Sequence, residues 1–232
     1  MLTANYYLAQ DVRELDRLAI EEHGIPGFTL MQRAGQAAFQ ATMQKWPDTT
    51  ALCCFCGGGN NGGDGYVIAA LAAATGLKAT VVTVGDPDKL GGDAKQALKQ
   101  AEQENVSFIS FETFYTDPPE LTDTTVLIDA MLGTGLSGEV KGKTLEAIEW
   151  INASPCPVLS VDIPSGLCSD IGKILGHAVK ADLTVTFIGR KLGQVIGQGP
   201  TWCGELVFDD LGVPGEIFEQ VSPVTPKSLD QS

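Results

Sequence analysis

Three short stretches carry residue types from which a site can be built, and each closes an apolar run. The first, residues 57–65, reads Gly-Gly-Gly-Asn-Asn-Gly-Gly-Asp-Gly. Between a buried strand and a helix, such a turn offers unpaired backbone N–H groups and the positive end of a helix dipole to an anion. Its glycines let that anion come close. We read it as an anion cradle for a nucleotide-type ligand. It has neither the fixed G-x-G-x-x-G spacing of a dinucleotide turn nor the Gly-Lys-Ser/Thr ending of a Walker loop. The plainer reading is a sharp strand-to-helix turn in which Asn60 or Asp64 caps the helix.

The second stretch is Ile128-Asp129-Ala130-Met131-Leu132-Gly133-Thr134-Gly135-Leu136, and the third is Ser160-Val161-Asp162-Ile163-Pro164-Ser165-Gly166. Ligands of open α/β sheets bind at such strand ends, although Asp129 and Asp162 are also ordinary turn formers. Asn61, Asp129 and Ser165 together offer amide, carboxylate and hydroxyl oxygens, which suit a hard cation rather than a thiolate-preferring metal. A nucleophilic serine is disfavoured at Ser165, which lacks the first glycine of a Gly-x-Ser-x-Gly elbow; the histidines are only His23 and His177. A small-molecule kinase is disfavoured, because no basic residue lies within residues 57–65 to meet a γ-phosphate.

These stretches need strands and helices to carry them. Leu8, Val12, Leu15 and Leu18 recur at helical spacing, as do Leu30, Ala34, Ala37 and Ala41, with Gly24 and Gly27 between them. Two amphipathic helices therefore open the chain. Short, continuous apolar runs follow at residues 51–56, 79–84, 107–111, 126–128, 158–161, 183–187 and 205–208, with helical stretches at 66–75, 93–104 and 144–153. Alternation of this kind predicts a Rossmann-like α/β fold, a three-layer αβα sandwich around a mostly parallel sheet. Beyond Val213 both periodicities fade, so residues 1–220 are expected to form one domain and residues 221–232 a linker or terminal tail.

The chain's 232 residues suffice for one sizeable core. A net charge of −14 with only 15 Lys and Arg argues against a nucleic-acid partner. No apolar stretch approaches the roughly 20 residues needed to span a bilayer, and no leader pattern follows Met1, so a soluble, cytoplasmic protein without a membrane partner is expected. Cys53, Cys54 and Cys56 share one apolar run, while Cys156, Cys168 and Cys203 lie far apart; reduced thiols are expected, and no second Cys or His pair completes a zinc site.

Taken jointly, these motifs resemble the NAD(P)H-hydrate epimerase family, over residues 9–214. The matching features are Leu30-Met31-Gln32-Arg33-Ala34-Gly35, the Asn-Asn-Gly-Gly-Asp loop, Asp129 with Gly133-Thr134-Gly135, Val161-Asp162-Ile163-Pro164-Ser165-Gly166, and Thr186-Phe187 with Lys191. The resemblance implies substrate binding by Asn60, Asn61, Gly62, Gly63 and Asp64, by the loop Gly133-Thr134-Gly135-Leu136-Ser137-Gly138-Glu139, and by Asp162. It implies potassium (K+) at Asn61, Asp129 and Ser165, a homodimer, and a fused or separate ATP- or ADP-dependent dehydratase domain as partner. Two departures stand out: Gln32 replaces a frequent glutamate, and no dehydratase domain follows, although residues 222–232 resemble the connector into one.

The implied substrates are NADHX and NADPHX, reduced nicotinamides hydrated at C6, whose R and S forms the enzyme interconverts. An acid that protonates the hydroxyl lets the ring nitrogen expel it, and water re-enters the cationic ring from either face. Asp162 is the expected catalytic group, donor and then base, with Lys191 as a polar assistant. The competing reading is a non-catalytic nucleotide-binding or protein-interaction module of the same fold.

Overall fold

The apolar run at Ala51–Cys56 is continuous because both of its faces are covered: Leu52, Cys54 and Cys56 point into one core, Cys53 and Phe55 into another. The structure, a computed structural model, describes residues 5–225. It opens with β1 (Tyr6–Tyr7), α1 (Ala9–Arg17), a π-helical turn at Leu18–Glu22 and α2 (Gly27–Lys45). There follow β2 (Ala51–Cys56), α3 (Asn60–Ala74), β3 (Lys78–Thr83), α4 (Gly92–Gln103), β4 (Val106–Ser110), α5 (Phe111–Thr116), β5 (Thr125–Ala130) and α6 (Gly142–Ala153). The last elements are β6 (Val158–Val161), β7 (Leu183–Phe187), β8 (Arg190–Lys191), α7 (Gly199–Trp202), β9 (Glu205–Asp209) and α8 (Gly215–Gln220).

Seven strands form one sheet in the order β4-β3-β2-β5-β6-β7-β9, every pair parallel. The expected three layers are present. Residues of α1, α2, α3, α4 and α8 pack on one face, and residues of α5 and α6 on the other. The chain runs outward from β2 to β4 and then returns to lay β5 on β2's opposite side. This reversal opens a crevice at the carboxyl ends of β2 and β5, where such sheets bind ligands.

Two features depart from the sequence expectation. The glycine-rich stretch is not a loop through residue 65, because α3 begins at Asn60. Poor helix formers are tolerated there because close packing demands them. A side chain at Gly62 would run into the backbone of Gly57, and one at Gly57 into the Met131 carbonyl, so β2, α3 and the end of β5 meet backbone to backbone. The region after Val213 also forms a helix, α8, which buries Ile217 and packs Phe218 on the first core. Its six residues are too few to display a period. Of the expected tail, Val221 is buried and Val224 donates its N–H to the Tyr6 carbonyl (2.8 Å); residues 226–232 lie outside the described residues.

Gly57→Ala should force β2 and β5 apart and destabilise the protein by about 3 kcal/mol, the upper part of the usual overpacking range. Chemical denaturation checks this; a cost under about 1 kcal/mol would show that the crevice floor yields.

Candidate functional site

At the switch point lies a cavity of about 680 Å³. Its floor comes from strand ends and its walls from helices, so each side chain is held by an element that packing already fixes. From α3 and the turn before it come Gly58, Gly59, Asn60, Asn61 and Asp64; from the segment after β5 come residues 131–137; from the turn after β6 comes Asp162; from the end of β7 and the turn after it come Phe187 and Ile188; from β8 comes Lys191. Leu30, Met31 and Ala34 of α2 give an apolar wall, and α1 with its π turn adds Val12, Arg13, Asp16 and Ile20.

The expected site residues divide accordingly. Asn60, Asn61, Asp64, Gly133, Thr134, Gly135, Leu136, Ser137, Asp162 and Lys191 share the cavity. Gly62 and Gly63 do not line it; they are buried against Gly57 and Met31, and their bare backbone is what seats α3. Gly138 and Glu139 also stand away from it, with Glu139 against Gly176 and Val140 bonded to the Leu175 carbonyl. Asp129 and Ser165 lie beneath the cavity, fully buried.

Because α3 starts at Asn60, the free N–H groups of its first turn belong to residues 60–62, while Gly63 already bonds the Gly59 carbonyl (3.2 Å). The stretch expected to cradle an anion is therefore a helix N-terminus rather than a long loop. Asn61 is 9% exposed and its side-chain Nδ2 has no hydrogen-bond partner; its amide lies beside Gly133.

Asp129 organises the layer below. Its Oδ2 accepts from Ser160 Oγ (2.8 Å) and Ser165 N–H (2.8 Å), and its Oδ1 from Ser165 Oγ (2.5 Å) and Met131 N–H (3.4 Å). Burial pushes this carboxyl up, and the bonds from Ser165 and Ser160 oppose the rise. Ser165 Oγ also accepts from Leu132 N–H (2.8 Å), joining the two loops.

Asp162 has left-handed backbone (φ 67°), held because its N–H donates to the Val185 carbonyl (2.7 Å) and its carbonyl accepts from Gln194 Nε2 (2.8 Å). Ile188 and Leu211 are the other non-glycine residues with positive φ among those described, and both also line the cavity. Backbone strain is thus concentrated here. Lys191, 1% exposed, donates through Nζ to Asp162 Oδ1, to Thr186 Oγ1 (3.0 Å) and to the Phe187 carbonyl (3.1 Å). Asp162 is 16% exposed, so the pair opens to the cavity only through its carboxylate.

Asp16, Arg13, Asp93, Thr186 and Gln194 were not singled out as site residues by sequence reasoning. Asp16 had a signal: it sits on the inward face of α1 that Val12 and Leu15 mark, where a lone acid is unexpected. Burial pushes its carboxyl up to about 6; Lys191 opposes the shift and Asp162 adds to it. Asp64 is pushed well above the usual carboxylate range, by burial first and then by Asp162 and Asp16, against Lys191.

Fold and site together define a Rossmann-like domain with a cavity at its switch point, walled by half-buried carboxyls and one ion-paired lysine. The chain belongs to the family described as YjeF-related protein N-terminus, which matches residues 27–193. It is 45% identical over 215 residues to the Bifunctional NAD(P)H-hydrate repair enzyme Nnr of Coxiella burnetii, covering 93% of this chain and 43% of that protein. It is 31% identical over 229 residues to the NAD(P)H-hydrate epimerase of Legionella pneumophila, covering 96% of this chain and 83% of that one. The chain thus spans less than half of the bifunctional relative and most of the shorter one. The crystal structure of yeast ynu0 superposes with a TM-score of 0.79 at 20% identity, covering 99% and 98% of the two chains, and shares the fold.

A carboxyl whose folded-state value is raised holds its proton more tightly in the native state, so stability falls as pH rises from about 4 through about 6 as Asp16 ionises. Asp16→Asn removes that loss. Its thermal midpoint at pH 8 should exceed the wild type's by about 2–4 °C, the shift that ~1 kcal/mol gives at this size. Scanning calorimetry at pH 4 and pH 8 reads it; a lower midpoint at pH 8 would contradict the burial argument.

Proposed function

We propose that the chain is an NAD(P)H-hydrate epimerase, interconverting the R and S forms of C6-hydrated NADH and NADPH. Family membership, with relatives named for this repair, supplies the chemistry. The observation that carries the reading to this chain is the Asp162–Lys191 ion pair, presented on strained backbone at the switch-point cavity.

The chemistry asks for a negative group beside a ring that turns cationic when C6 loses its hydroxyl. Asp162 answers that need: its carboxylate faces the cavity while Lys191, Thr186 and the Phe187 N–H fix its Oδ1. A pre-aimed charge in a site shielded from water stabilises a developing opposite charge without reorganising. Apolar Leu30, Met31 and Phe187 give the nicotinamide ring a dry surface. The substrate's phosphates match the free amides of residues 60–62 and Arg13, the cavity's other cation besides Lys191.

Asn61, Asp129 and Ser165 fit a potassium ion by their donors. All three carry oxygen, one carries charge and none is a thiolate, and Ser165 Oγ already joins Asp129. Those three residues, from α3, the end of β5 and the turn after β6, would hold it, and it would supply positive charge there. A cytoplasmic setting agrees with six free cysteines, five of them buried, and the bifunctional relatives support a dehydratase partner, with homodimerisation as the family implies.

The decisive assay mixes the protein with purified R hydrate, an S-specific dehydratase and ATP, and follows the return of nicotinamide absorbance. Acceleration is expected; its absence would favour a non-catalytic binding module. Asp162→Asn should lower kcat by about 100-fold or more, within the range of acid–base and electrostatic groups; a wild-type rate would remove Asp162 from the chemistry. Arg13→Ala should raise KM about ten-fold, as loss of one charge-assisted hydrogen bond does. Exchange of potassium for lithium should slow turnover, and an unaltered rate would remove the ion from this reading.

A further inference from the structure

Asp16 and Asp64 face the same cavity from different helices, α1 and α3, and neither side chain has a hydrogen-bonding or ion-pairing partner among the described residues. Lys191 cannot serve them. An ammonium has three protons, and those of Lys191 go to Asp162, Thr186 and the Phe187 carbonyl. The other charged groups facing the pair are Arg13 on α1, exposed to solvent, and Asp93 on α4, while α2 contributes only apolar residues. Two half-buried carboxyls in one cavity, without a cation of their own, are cheaper when one keeps a proton. Both shift upward for that reason: burial dominates in each, Asp162 adds to each, and Asp16 adds to Asp64.

We propose that Asp16 and Asp64 form the proton-carrying pair of the epimerisation, giving one proton to the departing C6 hydroxyl and recovering it from the water that returns. The inference rests on the epimerase reading. In the forward half, the carboxyl proton passes to the hydroxyl oxygen, the C6–O electron pair leaves with it as water, and the ring nitrogen's lone pair forms the C=N bond. In the return, a water lone pair forms the new C6–O bond on the other face, the C=N pair goes back to nitrogen, and the surplus proton returns to the carboxylate. No electron is gained or lost overall. Asp162, bound to Lys191, is thereby relieved of proton donation and acts as the fixed negative partner of the cation.

A required acid makes kcat fall as pH rises past its ionisation. Removing the like charge at Asp16 makes Asp64 release its proton sooner. Asp16→Asn should therefore move the alkaline fall of kcat about one pH unit lower and reduce kcat about ten-fold at pH 8, a ten-fold change being one unit of coupling. KM should stay within about two-fold, since the substrate's binding contacts lie elsewhere. Asp64→Asn should lower kcat about 100-fold at every pH. Independently of turnover, carbon NMR of the aspartate carboxyls in the unliganded protein should show Asp16 and Asp64 titrating above the ordinary range beside the buried Asp129, with Asp16→Asn deleting one signal and moving Asp64 down. An Asp64 carboxyl that does not move in Asp16→Asn, or an Asp16→Asn loss equal at every pH or confined to KM, overturns the proposal. Wild-type protein without epimerase activity instead fails the reading of function, which separates the two.

Discussion

A charge buried away from water must be matched by hydrogen bonds or a counter-ion, and Asp129 meets that demand with four donors drawn from one strand and two loops. The parallel register of β5 and β6 sets Asp129 opposite Ser160, which supplies the first. The turn after β6 supplies Ser165 twice, and this holds only if that turn folds back over the strand end. Ser165 then binds Leu132 and fixes the start of the segment that walls the cavity. The same turn carries Asp162 three residues earlier. One carboxylate thus decides where the loops after β5 and β6 go.

What Asp129 positions, the rest of the cavity leaves under strain. Asp162, Ile188 and Leu211 hold left-handed backbone at its walls. Asp16 and Asp64 are held in surroundings that raise their carboxyls. A protein selected only for stability would relax these features, because each costs folding free energy and the core does not need them. Their convergence on one cavity marks where the fold spends its stability on function.

The sheet was legible because parallel strands covered on both faces are continuously apolar, and runs such as residues 51–56 and 183–187 declare that in one dimension. Asp129 and Asp162 were legible because each ends such a run before Gly or Pro. The start of α3 was not. Glycine reads as turn when only its flexibility is considered, whereas Gly57 and Gly62 are required by the approach of a helix to two strand ends, a distance the sequence does not encode locally. Asp16 escaped because its partners, Asp64 and Asp162, lie far along the chain. The two-residue strands β1 and β8, which seat Lys191 beside Tyr7, are too short to carry any period.

Moving the start of α3 to Asn60 also alters how the cavity matches its ligand. The free amides of residues 60–62 and Arg13 attract negative charge, whereas Asp162 presents negative charge of its own. The proposed substrate, a hydrated nicotinamide nucleotide, would bring phosphates to the first set and a neutral ring to the second. On that reading the ring would meet Asp162 as a cation only once C6 loses its hydroxyl. The phosphate contacts would then count equally in ground and transition states, while the contact with Asp162 would strengthen as the bond breaks, the difference that accelerates a reaction rather than tightening binding. Charge separated along one cavity in this way selects for a substrate that is anionic at one end and becomes cationic at the other.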